Sequence, residues 1–315
     1  MQHEILVPLD GSPLAETILP HAQLLAQSTG SALTLLSIVP VVPVANPMAG
    51  ALGMDPLDEH DWETDVARAH DYLLGVAARL EADGLRVRAE AVEGVPAQAI
   101  LAYAARHPAV RTIAMATHGR GGVGRWVFGS VAEQVLHGAP IPLLLVRPQP
   151  GPRGPQTPAA RPYRTLLVPL DGSALAEQAL TQATALAAQA GAALLLVAAV
   201  PEPDAAVGRP GHETQPRSRA AAARVAEATR LEAYLGRTAA DLRAQGVGAG
   251  TALPAGPAAE AILHTAETSG ADLIVMASHG RSGLARLWLG SVAARVVQGA
   301  PRPVLLVRAS GPDTR

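Results

Sequence analysis

Leu6-Val7-Pro8-Leu9-Asp10-Gly11-Ser12 returns letter for letter, 161 residues later, as Leu167-Val168-Pro169-Leu170-Asp171-Gly172-Ser173. A short apolar run closed by Asp-Gly reads as a strand running into a tight turn. In the first copy Ser12-Pro13 then opens a helix, because proline is tolerated in a first turn. Other anchors keep the same spacing. His118-Gly119-Arg120 returns as His279-Gly280-Arg281, Gly129-Ser130-Val131 as Gly290-Ser291-Val292, and Pro142 and Val146 as Pro303 and Val307. Between them the register slips by one residue, so that Gly84 meets Gly246. A period this long means a duplicated domain and not a solenoid. The expected organisation is a first domain over 1–148, a Pro/Gly-rich linker over 149–162, a second domain over 163–309 and a tail over 310–315.

Working outward from the opening motif, each half alternates strand and helix. Residues 4–9 are strand one. A helix follows to Gly30, its C-terminal signal, with a bend expected at Pro20. Residues 32–39 make strand two. Beyond a variable loop, Leu73, Val76, Ala77 and Leu80 recur at helical spacing, as do Leu231, Tyr234, Leu235, Thr238 and Leu242. Strand three is expected over 86–92, a helix over 97–106, strand four over 112–115, a helix over 130–137 stopped by Gly138, and strand five over 143–146. Strands separated by helices define an α/β unit with a parallel sheet.

The chain has 315 residues, 49% of them hydrophobic and 17% charged, so a sizeable core is available and disorder is excluded. Its net charge of −2 provides no basic field for a phosphate backbone, and 3% aromatics leave few platforms for stacking bases. Nucleic acid is therefore not an expected partner. All 25 basic residues are arginine, which removes a Schiff-base lysine and the lysine of a Walker loop. The absence of cysteine excludes thiolate nucleophiles, cysteine-zinc sites and disulfides. Met1-Gln2-His3-Glu4-Ile5 lacks the pattern of a secretory signal, and the longest apolar run falls short of the roughly 18 residues that span a bilayer. The expectation is a cytoplasmic chain with no membrane partner.

The halves match unevenly. Residues 113–131 agree with 274–292 at 11 of 19 positions, whereas 41–62 agree with 202–223 at 2 of 22. The matched block is rich in Gly, His, Arg and Ser, types that do not pack cores, so a shared backbone task explains it better than burial. Open α/β sheets bind ligands beyond the carboxyl ends of their strands. Strand one ends there in Asp10-Gly11-Ser12, and strand four in Thr117-His118-Gly119. A glycine loop leading into Gly129-Ser130 at a helix head lets backbone approach a ligand and presents N–H groups to an anion. A plain helix cap would explain one copy. Two copies with identical Gly-x9-Gly-Ser spacing favour phosphate, and no lysine is needed for it.

The ordered motifs, Val-Pro-Leu-Asp-Gly-Ser, then Met-Ala-Thr-His-Gly-Arg, then Gly-x9-Gly-Ser-Val, then a closing Pro-x-Leu-Leu-Val-Arg strand, resemble the universal stress protein family. The resemblance covers both halves and implies two tandem doubly wound domains. Each is a five-stranded parallel sheet in order 3-2-1-4-5 with helices on both faces. In the family's nucleotide-binding branch a Gly-x2-Gly-x9-Gly-Ser/Thr signature holds ATP. Carried over, its second glycine is Gly119, flanked by His118 and Arg120, and its third is Gly129, followed by Ser130 and Val131. The other half supplies His279, Gly280, Arg281, Gly290, Ser291 and Val292. Pro8 and Asp10, or Pro169 and Asp171, are implied near the adenosine, and Ile38 or Ala199 beside the base through its backbone. One departure stands out: the first glycine is Ala116 here and Ala277 there. The added methyl crowds the ribose, or fits if the local φ is negative.

Other patterns carry less. Gly119-x-Gly121-x-x-Gly124 fits a dinucleotide fingerprint by letter, but it follows the fourth strand and its copy reads Gly280-x-Ser282-x-x-Ala285. His118 and His279 have no evident partner carboxylate, which favours a ligand-edge role over catalysis. Arg120, Arg125, Arg281 and Arg286 either touch phosphate or are solvated. Asp58-Glu59-His60-Asp61 has no second cluster and reads as a solvated acidic face; Mg²⁺ would enter with ATP. The loop over 41–54 either covers ligand, pads a chain contact or is plain surface. No catalytic residue is assigned. The first reading is a stress-response, regulatory ATP-binding module; a slow ATP hydrolase and a nucleotide-free interaction scaffold are the alternatives. The closing strands over 141–147 and 302–308 would each leave an open edge. They are expected to pair with each other as an internal pseudo-dimer, with a homodimer left open.

Overall fold

Strands that are apolar without alternation have both faces covered, and this chain's strands follow that rule. Ile5, Leu6 and Val7 are all buried, as are Leu166, Leu167 and Val168 at the matching place in the repeat. The computed structural model describes residues 3–40, 62–117, 128–151, 154–156, 160–200, 217–278 and 289–308. They divide between two compact units, one bounded by residues 1–139 and 150–156, the other by 140–149 and 157–315.

The first unit runs β1 (Glu4–Pro8), α1 (Pro13–Glu16), α2 (Leu19–Thr29), β2 (Ala32–Pro40), α3 (Trp62–Ala82), β3 (Val87–Gly94), α4 (Pro96–Arg106), β4 (Val110–Ala116) and α5 (Ser130–Gly138). Its strands lie in the order β3-β2-β1-β4, all parallel. Next come β5 (Leu143–Val146) and, in the Pro/Gly-rich stretch, a small two-stranded sheet of β6 (Gln149–Gly151) and β7 (Gly154–Gln156). The chain continues through β8 (Thr165–Pro169), α6 (Ala174–Ala190), β9 (Ala193–Val197), α7 (Arg217–Ala244), β10 (Ala249–Ala252), α8 (Ala258–Thr268), β11 (Leu273–Ala277), α9 (Ser291–Gly299) and β12 (Val304–Val307).

In the second unit the parallel strands lie in the order β10-β9-β8-β11-β12, which is 3-2-1-4-5. The first unit follows the same order through its fourth strand. β5 belongs with the second unit and lies antiparallel on β12, with Val304 opposite Leu145 and Leu306 opposite Leu143. Ladder hydrogen bonds thus cover an edge of β12 that would otherwise present unpaired backbone groups.

The opening helix differs from its sequence expectation. It is not one bent helix to Gly30 but two, with α1 ending at Glu16 and α2 starting at Leu19. Pro20 lacks an N–H and its ring would strike the carbonyl four residues back, which is that of Glu16. Thr181 stands at the matching place in the repeat, and there α6 runs unbroken for 17 residues. Both copies stop on a left-handed glycine, Gly30 and Gly191, each at φ 65°.

Candidate functional site

Because β1 and β4 are parallel neighbours, their carboxyl ends open on the same end of the sheet; so do those of β8 and β11. Two corners meet there in each unit.

The first corner follows β1. Gly11 takes φ 75°, a left-handed turn that glycine adopts at little cost. The Ser12 N–H donates to Asp10 Oδ1 at 2.9 Å, and the Ala15 N–H donates to Ser12 Oγ at 3.1 Å. The aspartate therefore shapes the turn and the serine caps α1. The repeat is a close copy. Gly172 has φ 77°, Ser173 N–H donates to Asp171 Oδ1 at 3.0 Å, and Ala176 N–H donates to Ser173 Oγ at 3.2 Å. Pro8 and Pro169 close their strands, half-buried, one residue short of Leu9 and Leu170. The amides of those leucines donate to Leu36 and Val197. Ile38 lies on β2 opposite Val92, and Ala199 just past β9.

The second corner joins β4 to α5. The Gly129 N–H donates to the Thr117 carbonyl at 2.9 Å, and the Gly290 N–H to the Ser278 carbonyl at 2.8 Å. Each bond draws the head of a helix against the end of its strand. Gly129 thus spends its own amide inward. Helix geometry leaves the N–H groups of Ser130, Val131 and Ala132 without an intrahelical carbonyl, since the first α5 bond runs from Glu133 to Gly129. α9 matches this arrangement at Ser291, Val292 and Ala293. Among the described residues no side chain caps α5 or α9, nor α2, α4 or α8, whereas serines cap α1 and α6; what α5 and α9 have besides is the glycine amide bonded back to the strand end. Gly129 (φ −60°, ψ 144°) and Gly290 (φ −64°, ψ 149°) have backbone angles open to any residue, so conformation does not demand glycine there. Lack of a side chain, and hence closeness of approach, is what glycine adds.

Ala116 and Ala277 are the last residues of β4 and β11, in extended backbone and nearly buried at 6% and 7% exposure. Their strand conformation needs no glycine. His118, Gly119, Arg120 and Arg125, with His279, Gly280, Arg281 and Arg286, lie outside the described residues, as do residues 41–61. Among the described residues no group of three His, Cys, Asp or Glu could hold a metal, and no helix is long and apolar enough to cross a membrane.

Sequence reasoning missed one repeated arrangement beside the first corner. Tyr72 Oη on α3 donates to Glu16 Oε1 at 2.9 Å, and Arg79 Nη2 lies 3.2 Å from Glu16 Oε2. In the second unit Tyr234 on α7 donates to Glu177 on α6. Burial, then the hydrogen bond to Glu16 and that residue's charge, with Asp10 adding, raise the Tyr72 pKa; Arg79 opposes them. Burial, Glu177 and Asp171 do the same to Tyr234. The available signal was the repeat offset, which relates Glu16 to Glu177 and Tyr72 to Tyr234 within one residue.

Fold and corners together define a duplicated, doubly wound α/β protein whose fifth helix and its copy begin uncapped at the carboxyl end of the sheet. The model of the universal stress protein family matches residues 1–147 and again 162–308, and the chain belongs to that family. A universal stress protein of Thermus aquaticus is 40% identical over 148 residues, covering 46% of this chain and 99% of its own. One from Methanocaldococcus jannaschii is 32% identical over 147 residues, covering 46% and 81%. The solved structure of a universal stress protein from Archaeoglobus fulgidus aligns with TM-score 0.69 at 20% identity, over 97% of this chain and 98% of that one, a likeness of fold.

Proposed function

We propose that the chain is an ATP-binding regulatory module of the stress response, with one nucleotide site per unit. The observation that carries this reading is the pair of uncapped helix heads, each tied to its strand end by a glycine amide. A helix N-terminus whose first N–H groups have no intrahelical carbonyl, with its positive dipole end, suits a phosphate, and it does so without an ammonium group. Ser130 and Val131, or Ser291 and Val292, would offer backbone amides to the phosphates, and both serine side chains are exposed there. Asp10 and Asp171 stand at the adjoining corner, suited to the adenosine. The backbone at Ile38 and Ala199, at the ends of the second strands, suits the base. The extended backbone of Ala116 and Ala277 supports the reading that each methyl is accommodated. Bound ATP would supply charge and shape that bias the protein's contacts, with Mg²⁺ arriving on its phosphates.

Native mass spectrometry of the full chain incubated with Mg-ATP tests this. Two ATP per chain is the expected result. Accumulating ADP would shift the reading to slow hydrolysis, and a chain that takes up no nucleotide would leave an interaction scaffold and end the proposal.

A further inference from the structure

The tyrosine–glutamate contact occurs in both units between elements 56 and 57 residues apart. Its persistence has no explanation in local folding. α3 follows residues 41–61 and α7 follows residues 201–216, the least similar stretches of the two halves, yet each long helix reaches the same carboxylate. Nor does the contact repair the break at Pro20, because the second unit keeps it on an unbroken helix.

Position explains it better. Glu16 lies in the turn that Ser12 caps, and Ser12 in turn is held by Asp10 Oδ1. A hydrogen-bonded path therefore runs from the tyrosine hydroxyl through Glu16, whose N–H donates to the Ser12 carbonyl, to the aspartate. The same path runs from Tyr234 through Glu177 and Ser173 to Asp171. The Glu16 N–H donates to the Ser12 carbonyl at 3.1 Å and the Glu177 N–H to the Ser173 carbonyl at 3.1 Å, so in both units the carboxylate that the tyrosine holds belongs to the residue that closes the turn on the capping serine. The corner at Gly129 has its own anchor, the Thr117 carbonyl, as that at Gly290 has the Ser278 carbonyl.

Resting on the nucleotide-site reading, we propose that Tyr72–Glu16 and Tyr234–Glu177 are positioning pairs for the nucleoside end of the ligand. They hold Asp10 and Asp171 in register with it and leave the phosphate end to the helix heads. The pairs are thus determinants of nucleoside recognition and not of anion binding.

The test is calorimetric titration of the full chain and its Tyr72→Phe/Tyr234→Phe variant with two probes, ATP and inorganic tripolyphosphate. Loss of one positioning hydrogen bond per site should weaken ATP about tenfold and leave tripolyphosphate within about twofold. A Glu16→Gln/Glu177→Gln variant keeps an acceptor for the hydroxyl and should retain wild-type ATP affinity within about threefold. A phenylalanine variant that binds ATP like the wild type overturns the inference alone, as does one that loses both probes in parallel. A wild-type chain that binds no ATP overturns the nucleotide reading, and the inference falls with it.

Discussion

Placing serine at the two helix heads, Gly129→Ser with Gly290→Ser, should move stability and nucleotide affinity in opposite directions. The backbone already permits it. Gly129 and Gly290 sit at φ −60° and −64°, close to the cap geometry of Ser12 (φ −89°, ψ 147°) and Ser173 (φ −82°, ψ 151°). A serine at 129 would accept the N–H of Ala132, as Ser12 accepts that of Ala15 at 3.1 Å. Serine in place of glycine at such a cap stabilises by about a few tenths of a kcal/mol per site. The same cap takes the Ala132 N–H and adds side-chain atoms beside the Ser130 and Val131 amides assigned to phosphate, where the ligand approaches. A hydrogen bond to a charged group is worth about 1.5–3 kcal/mol, so affinity should fall about ten- to a hundredfold. Thermal melts without ligand read the first effect and calorimetric titration with ATP the second. A stabilised variant with undiminished ATP affinity would refute the assignment of phosphate to these amides. Equal loss of both would show a folding defect instead.

Two further outcomes concern the tyrosines and the helix stops. All four tyrosines have raised pKa values, burial being the first cause in each, and Tyr103 is pushed up to about 12 with help from its hydrogen bond to Glu90. The neutral hydroxyl is the form the fold favours. The stability contributed by Tyr103 is therefore complete below a pH of about 10 and is lost as pH rises toward 12. In an alkaline absorbance titration the folded protein should show no tyrosinate step near pH 10, and such a step would contradict the burial. Separately, Gly30→Ala and Gly191→Ala should each destabilise by about 1 kcal/mol in urea unfolding. Both glycines sit at φ 65° with nothing within 4 Å of an added Cβ, so the cost is conformational and should be nearly the same at both. Unchanged urea midpoints would refute the left-handed caps.

Much of this protein was legible in one dimension because its signals are local. The strand ahead of Asp10, the cap at Ser12, the stop at Gly30 and the helix opening at Ser130 each depend on a few adjacent residues, and duplication printed every one of them twice. Pro20 was also visible, and the carbonyl it opposes, that of Glu16, is only four residues back; that the helix splits there and does not merely bend is what the structure adds. Other features join residues far apart in the chain. Nothing near Gly129 announces that its amide turns back to the carbonyl of Thr117 at the end of the strand. Tyr234 looks like an ordinary member of a helical stripe, and Tyr72 stands beside one, until folding brings each against a glutamate at the first corner. The pairing of β5 with β12 spans more than half the chain. Side-chain chemistry and backbone preference act over a turn or two and so can be read from neighbouring letters. Which N–H is used, which carboxylate is held and which edge is covered are settled by packing across the sheet, where sequence distance has no bearing.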